Sequence, residues 1–193
     1  MSWSRGDDAP HPRVLVVCTA NICRSPVAEQ MLRDRMAHYQ VPASVASAGF
    51  LLSGSEPDRT MVKLAASHGV HVVDHLSQVA TPELLDATDL VVTMERRHAR
   101  DLIVQAPQAT ARIHTLLGLL SASAEVGRPA RPTQLAPWLE RVAAVRPPSV
   151  LVGDLGGDQI ADPHGRAKRH YKKAFEQLRD AVDELAVVLR GTD

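Results

Sequence analysis

Two hydrophobic rhythms alternate along this chain. Short runs at residues 14–17, 45–47, 90–94 and 112–115, the first and third nearly continuous in apolar residues, have the length and β-branched content of strands in a sheet covered on both faces. Between and after them, apolar residues recur at helical spacing. Ala28, Leu32, Met36 and Tyr39 form one stripe, and Met61, Leu64, Ala65 and His68 a second. A long stripe of Tyr171, Phe175, Leu178, Val182, Leu185 and Leu189 predicts a closing helix over about 166–189. Strand and helix in alternation predict a three-layer α/β fold: a four-stranded parallel sheet with helices on both faces. With no internal repeat and no second domain, residues 13–193 read as one domain behind a disordered polar tail, 1–12.

One stretch breaks the rhythm. Residues 121–132 are small, polar and proline-bearing. Leu135, Trp138, Leu139 and Val142 then make an apolar stripe on a short helix before Pro147-Pro148. The segment 121–152 reads as an insertion, either a helix packed on the body or a lid.

Composition narrows the function classes. The 193 residues carry 22 basic and 22 acidic side chains, so no global field draws in nucleic acid, and no stacking aromatics interleave with the charges. The basic run Arg166, Lys168, Arg169, Lys172 and Lys173 reads first as a solvated helix face, and otherwise as a surface that steers phosphorylated partners. No apolar run approaches the ~18 residues of a membrane span. Two cysteines five apart are no disulfide framework, which points to a reducing, cytoplasmic setting.

Those cysteines carry the chemistry. In Val14-Leu-Val-Val-Cys18-Thr-Ala-Asn-Ile-Cys-Arg24-Ser25-Pro26, a thiol and a guanidinium bracket five residues between a strand and a helix start. The strand delivers Cys18 to the carboxyl edge of the sheet, where open α/β folds bind ligands, and Pro26 suits a first helical position. Successive backbone amides of Thr19, Ala20, Asn21, Ile22 and Cys23, with the helix dipole, form a concave site for a dianion and favour the thiolate of Cys18. Arg24 offers a planar fork for two phosphate oxygens, and Ser25 a hydroxyl donor. Attack of Cys18 on phosphorus leaves a phosphocysteine. A nucleophile loop placed after the first strand is thus the expected site, with no cofactor.

The loop resembles that of the low-molecular-weight protein tyrosine phosphatases, Cys-x-Gly-Asn-Ile-Cys-Arg-Ser-Pro, departing from it at Ala20. An alanine there needs a backbone open to a β-carbon. The resemblance continues through Ser47-Ala48-Gly49, His75, Asp89-Leu-Val-Val-Thr-Met94 with Arg100-Asp101-Leu102, and Asp162-Pro163. It implies that Asn21 is locked by a polar network with Ser47 and His75. It implies that Asp162, its loop shaped by Pro163, is the acid that protonates the leaving group and then the base that activates water. It also implies that Cys23 can trap Cys18 as a reversible disulfide; the residue alone reads equally as a small buried side chain. Against the family, the connection from 120 to 160 is longer by roughly 25 to 30 residues, beyond ordinary loop lengths.

The pocket walls differ from the family's aromatic ones. Phe50, with Leu51 and Leu52, occupies the first wall, His164 stands where tyrosine is common, and Gln78 replaces an arginine. Isoleucine at 22, where phosphoarginine phosphatases commonly place threonine, favours phosphotyrosine protein or a small aryl phosphate as substrate. Asp154, Asp158, Asp162 and His164 also invite a metal reading, but their spacing matches no calcium loop and offers too few zinc donors. Two other functions stay open: an arsenate reductase coupled to an external thiol, since no cysteine lies beyond Cys23, and a non-catalytic phosphoprotein-binding module. The oligomeric state is not readable.

Overall fold

The computed structural model describes residues 11–153 and 157–192. Four parallel strands, β1 (Arg13–Val17), β2 (Ser44–Ala48), β3 (Leu90–Thr93) and β4 (Ile113–Thr115), form one sheet in the order β2-β1-β3-β4. The four-stranded three-layer expectation therefore holds, and the strand ends differ from the sequence reading by a residue or so. Val14 and Val16 point to one face and Leu15 and Val17 to the other, all essentially without solvent. Neighbouring β1 turns to β2 on one side and β3 on the other, so the connections reverse direction at its carboxyl end. That is where the nucleophile loop begins.

On one face pack α1 (Arg24–His38), α2 (Arg59–Ala66), α5 (Leu116–Val126), α6 (Leu135–Val145) and α7 (Lys168–Leu189); on the other lie α3 (Pro82–Asp86) and α4 (Arg96–Gln105). All six residues of the predicted α7 stripe are buried, and the helix lies along α1. Each pairs a 3.6-residue apolar repeat with a complementary surface, which stabilises a helix more than propensity does.

Four sequence expectations shift. Pro26 occupies the third helical position of α1, not the first, because Arg24 already has helical geometry. The second helix stops at Ala66, so His68 lies beyond it and packs its ring, tilted by 42°, against Phe175 at 4.7 Å. Of the expected insertion 121–152, residues 121–126 continue α5 to a glycine stop at Gly127 (φ 76°), since serine and alanine there still present a buried helix face. Of the tail, 1–10 lie outside the described residues, but Pro12 accepts a bond from the Ser44 amide (2.9 Å) and His11 meets the Ser44 hydroxyl (2.7 Å), so the body starts before residue 13.

The α6 stripe is core rather than lid: Leu135, Trp138, Leu139 and Val142 are all buried, and the Trp138 indole donates to the Gly127 carbonyl at 2.7 Å.

Candidate active site

The chain leaves β1 at Val17 and enters α1 at Arg24, with Cys18 and Cys23 both buried as free thiols. Three carbonyls of the connecting loop turn outward. Thr19 accepts from the Phe50 amide (2.8 Å), Asn21 from His75 Nε2 (2.8 Å), and Ile22 from the Asp58 amide (2.7 Å). In a trans peptide the following N–H points the opposite way, so the amides of Ala20, Ile22 and Cys23 turn to the loop's interior. Ala20 adopts no left-handed backbone; Asn21 does, at φ 54°. The departure at Ala20 is thus accommodated, and the strained position carries the residue type that tolerates it.

Asn21 organises the loop. Its Nδ2 donates to Ser25 Oγ (3.0 Å) and Ser47 Oγ (2.7 Å), and its Oδ1 accepts the Gln78 amide (2.9 Å). Because Ser25 Oγ already accepts from Asn21, its own hydrogen is free for Cys18 Sγ, 3.0 Å away. Ser47 in turn donates to Glu29 (2.5 Å), which is paired with Arg33 (2.6 Å). A charged residue on the surface of α1 thereby orients a hydroxyl on the nucleophile. Gln78 also donates to the Ser47 carbonyl (2.7 Å), so the residue that replaces the family arginine braces the same turn.

Gly49 explains the Ser-Ala-Gly string. A β-carbon there would lie 2.7 Å from the Asn21 nitrogen and 2.8 Å from the Thr19 carbonyl oxygen, both backbone atoms that cannot move aside.

Arg24 is the largest buried charge of the site, its side chain 1% exposed. Nη1 reaches Glu95 (2.5 Å) and the Ile160 carbonyl (2.8 Å), and Nη2 reaches Asp162 (2.8 Å). Nε has no hydrogen-bond partner among the described residues. Buried donors are rarely left so, and this one lies beside Nη2 on the edge of the fork that takes two oxygens of a tetrahedral anion. Glu95 is a residue that sequence reasoning missed. Burial alone would raise its carboxyl, but bonds from Arg97 and Arg24 and the Arg24 charge outweigh that and hold it below the ordinary glutamate range.

Thr19 Oγ1 receives Arg97 (2.9 Å) and Arg24 (3.3 Å), so its hydrogen goes to His98 Nε2 at 3.0 Å. His98 is then the neutral Nδ1–H tautomer, in keeping with a basicity that burial first, then Arg24 and Arg97, push down to about 4. Phe50, the expected wall, stacks on this imidazole at 5.5 Å. Leu51 and Leu52 are exposed.

Asp162 is partly exposed and accepts the His164 amide at 3.1 Å, the turn expected of Asp-Pro, with Pro163 buried. The His164 ring meets Asp58 at 2.8 Å, and Asp58 also takes the Tyr171 hydroxyl (3.0 Å) while capping α2. The imidazole expected as the second wall is thus tethered to the start of α2. Cys23 lies behind the loop; burial, then the charges of Asp58 and Asp162, push its thiol well above the ordinary cysteine range. That disfavours its thiolate. Of the metal alternative, Asp154 lies outside the described residues, Asp158 is engaged by Arg96 and Arg146, and no cluster of three metal-donor side chains occurs among the described residues.

Comparison with known proteins agrees with this geometry. A probable low molecular weight protein-tyrosine-phosphatase, EpsP, of Ralstonia nicotianae is 35% identical over 171 residues, 88% of this chain and 90% of the relative. Vibrio vulnificus Wzb in complex with benzylphosphonate superposes with a TM-score of 0.66 at 25% identity, covering 92% of this chain and 98% of that one. The YwlE arginine phosphatase from Geobacillus stearothermophilus does so with 0.66 at 26% identity, covering 92% of each. No described helix is long and apolar enough to cross a membrane. Residues 13–134 match the model of the low molecular weight phosphotyrosine protein phosphatases, and the chain belongs to that family.

Proposed function

We propose that this chain hydrolyses phosphotyrosine in proteins, or small aryl phosphates, through a phosphocysteine. The observation that carries this is the pairing of a serine-bonded buried thiol with a buried guanidinium whose Nε has no partner among the described residues, beside a partly exposed aspartate. A phosphate dianion seats on the loop amides and on Arg24 Nε and Nη2. Cys18 sulfur bonds to phosphorus as the phosphorus–oxygen bond to the leaving group breaks, and Asp162 gives its proton to the departing oxygen. Ser25 stabilises the thiolate before attack and after release. In the second step Asp162, now a carboxylate, takes a proton from water. The water oxygen bonds to phosphorus, the sulfur–phosphorus bond breaks, and phosphate leaves.

As walls of the entrance, Phe50 and His164 would suit a flat aromatic ring, a group that benzylphosphonate, the ligand of the Wzb structure, carries. Ile22 supports phosphotyrosine over phosphoarginine. Two free thiols suit a reducing cytoplasm. The test is phosphate release from a phosphotyrosine peptide and an aryl phosphate with chelator present. Cys18→Ser is expected to abolish it and Asp162→Asn to slow it by about 10²-fold or more. Binding of vanadate without turnover by the parent protein would refute hydrolysis and leave the phosphoprotein-binding reading. Arsenate-dependent oxidation of a thiol donor would favour the reductase.

A further inference from the structure

We propose that Asp158 is a positioning residue for the acid loop, and that Arg146, from the segment that lengthens this chain, holds it in place; this rests on Asp162 being the proton donor. Asp158 is 7% exposed and lies four residues before Asp162. Its carboxylate receives Arg96 Nε from the start of α4 (2.7 Å), the Arg146 guanidinium from the end of α6, and the Thr115 hydroxyl from the end of β4 (3.1 Å). Three separate elements thus converge on one side chain.

The span from Asp158 to Asp162 has little slack. Midway, Ile160 donates its amide to the Met94 carbonyl (2.8 Å) and its own carbonyl accepts Arg24 Nη1 (2.8 Å). Arg96 follows Glu95, the residue that takes the same Nη1, so one turn of chain fixes both the anion clamp and the root of the acid loop. A shift at Asp158 is passed to Asp162 over four residues, and misplacing a catalytic group by about 1 Å costs up to ~10²-fold in rate.

The seat for Arg146 is built into α5. A β-carbon at Gly118 would crowd Thr115 Oγ1 and would lie 2.5 Å from Arg146 Nε and 2.6 Å from its Cζ. Glycine is disfavoured inside a helix, and here its absent side chain is the space that the guanidinium fills. Thr115, which caps α5 through the Gly118 amide (3.2 Å), supplies the third donor to Asp158.

The experiment is kcat/KM for aryl monophosphates of increasing leaving-group basicity. The proteins are the parent, Arg146→Gln, Arg146→Lys, Gly118→Ala, Asp162→Asn and the Arg146→Gln/Asp162→Asn pair, with vanadate inhibition measured on each. A misplaced acid hurts poor leaving groups most. Arg146→Gln is expected to lose about tenfold on phenyl phosphate and under about twofold on nitrophenyl phosphate. Its vanadate affinity should stay near the parent's, and Arg146→Lys should recover part of the loss. On the Asp162→Asn background the selective effect should vanish. Loss uniform across the series, or none, overturns the inference. If Arg146→Gln does not fold, Gly118→Ala, whose β-carbon crowds both donors to Asp158, the Arg146 guanidinium and the Thr115 hydroxyl, without deleting either, decides by the same criterion. If Asp162→Asn itself leaves leaving-group dependence unchanged, it is the proton-donor assignment that fails.

Discussion

Replacing Asn21 separates the two reasons for an asparagine in this loop. Its side chain makes three buried hydrogen bonds, to Ser25, Ser47 and the Gln78 amide. At about 1 kcal/mol each, their loss costs about 3 kcal/mol. The backbone, at φ 54°, adds about 1 kcal/mol for alanine, whose β-carbon meets the following carbonyl. Glycine escapes that term but gains freedom in the unfolded chain, by less than alanine loses at a positive φ. Asn21→Gly should therefore lose about 3 kcal/mol and Asn21→Ala about 4, the reverse of their order in an ordinary helix or strand. Both should release the Ser25 hydroxyl and slow alkylation of Cys18. Urea unfolding at pH 7 reads the first effect and iodoacetate labelling the second. Equal or greater stability of the alanine variant would refute the claim that the left-handed backbone is required.

Gly49→Ala should damage the loop more than a surface glycine change, because its β-carbon meets the Asn21 and Thr19 backbone; loss of vanadate binding with the fold intact by circular dichroism checks this. Asp162→Asn removes an anion held on Arg24 Nη2, so vanadate should bind severalfold more tightly even as turnover falls; an inhibition titration decides. His98 and His114 are buried with basicity lowered from 6.5 to about 4, so the unfolded chain binds more protons between those values and stability falls as pH drops through that window. The loss is roughly 3 kcal/mol per histidine by pH 4, and His114→Gln should remove about half of it, leaving the part due to His98, in urea unfolding measured from pH 7 to pH 4.5. Glu95→Gln, which leaves Arg24 paired with Asp162 but less fully neutralised, should cost about 2 kcal/mol of stability, read in the same assay.

The sequence showed what depends on local pattern. Strand β1, the run from Cys18 to Pro26 and the α7 stripe are contiguous or strictly periodic, so local pattern and context placed them, with Pro26 two positions further into α1 than expected. The partners of Arg24 were harder. Glu95 lies 71 residues away in a stretch rich in charges, and nothing in Met94-Glu95-Arg96-Arg97 separates the carboxylate that faces the buried guanidinium from its solvated neighbours. Glu29 and the bracing contact of Gln78 escaped for the same reason: each acts through Ser47, a contact set by register between β2 and its neighbours. In residues 121–126 small polar residues read as loop although their buried face continues α5, because helix ends depend on what the next turn packs against.

The central claim is that Cys18 takes the phosphoryl group. Rapid acid quench of Asp162→Asn with nitrophenyl phosphate, followed by peptide mass spectrometry, tests it most directly, since this good leaving group departs with little help from an acid while hydrolysis still lacks its base, and the intermediate accumulates. The account predicts one phosphoryl group on Cys18 and none on Cys23. Turnover by the parent enzyme with no phosphocysteine at any quench time, and phosphate release surviving in Cys18→Ser, would contradict it.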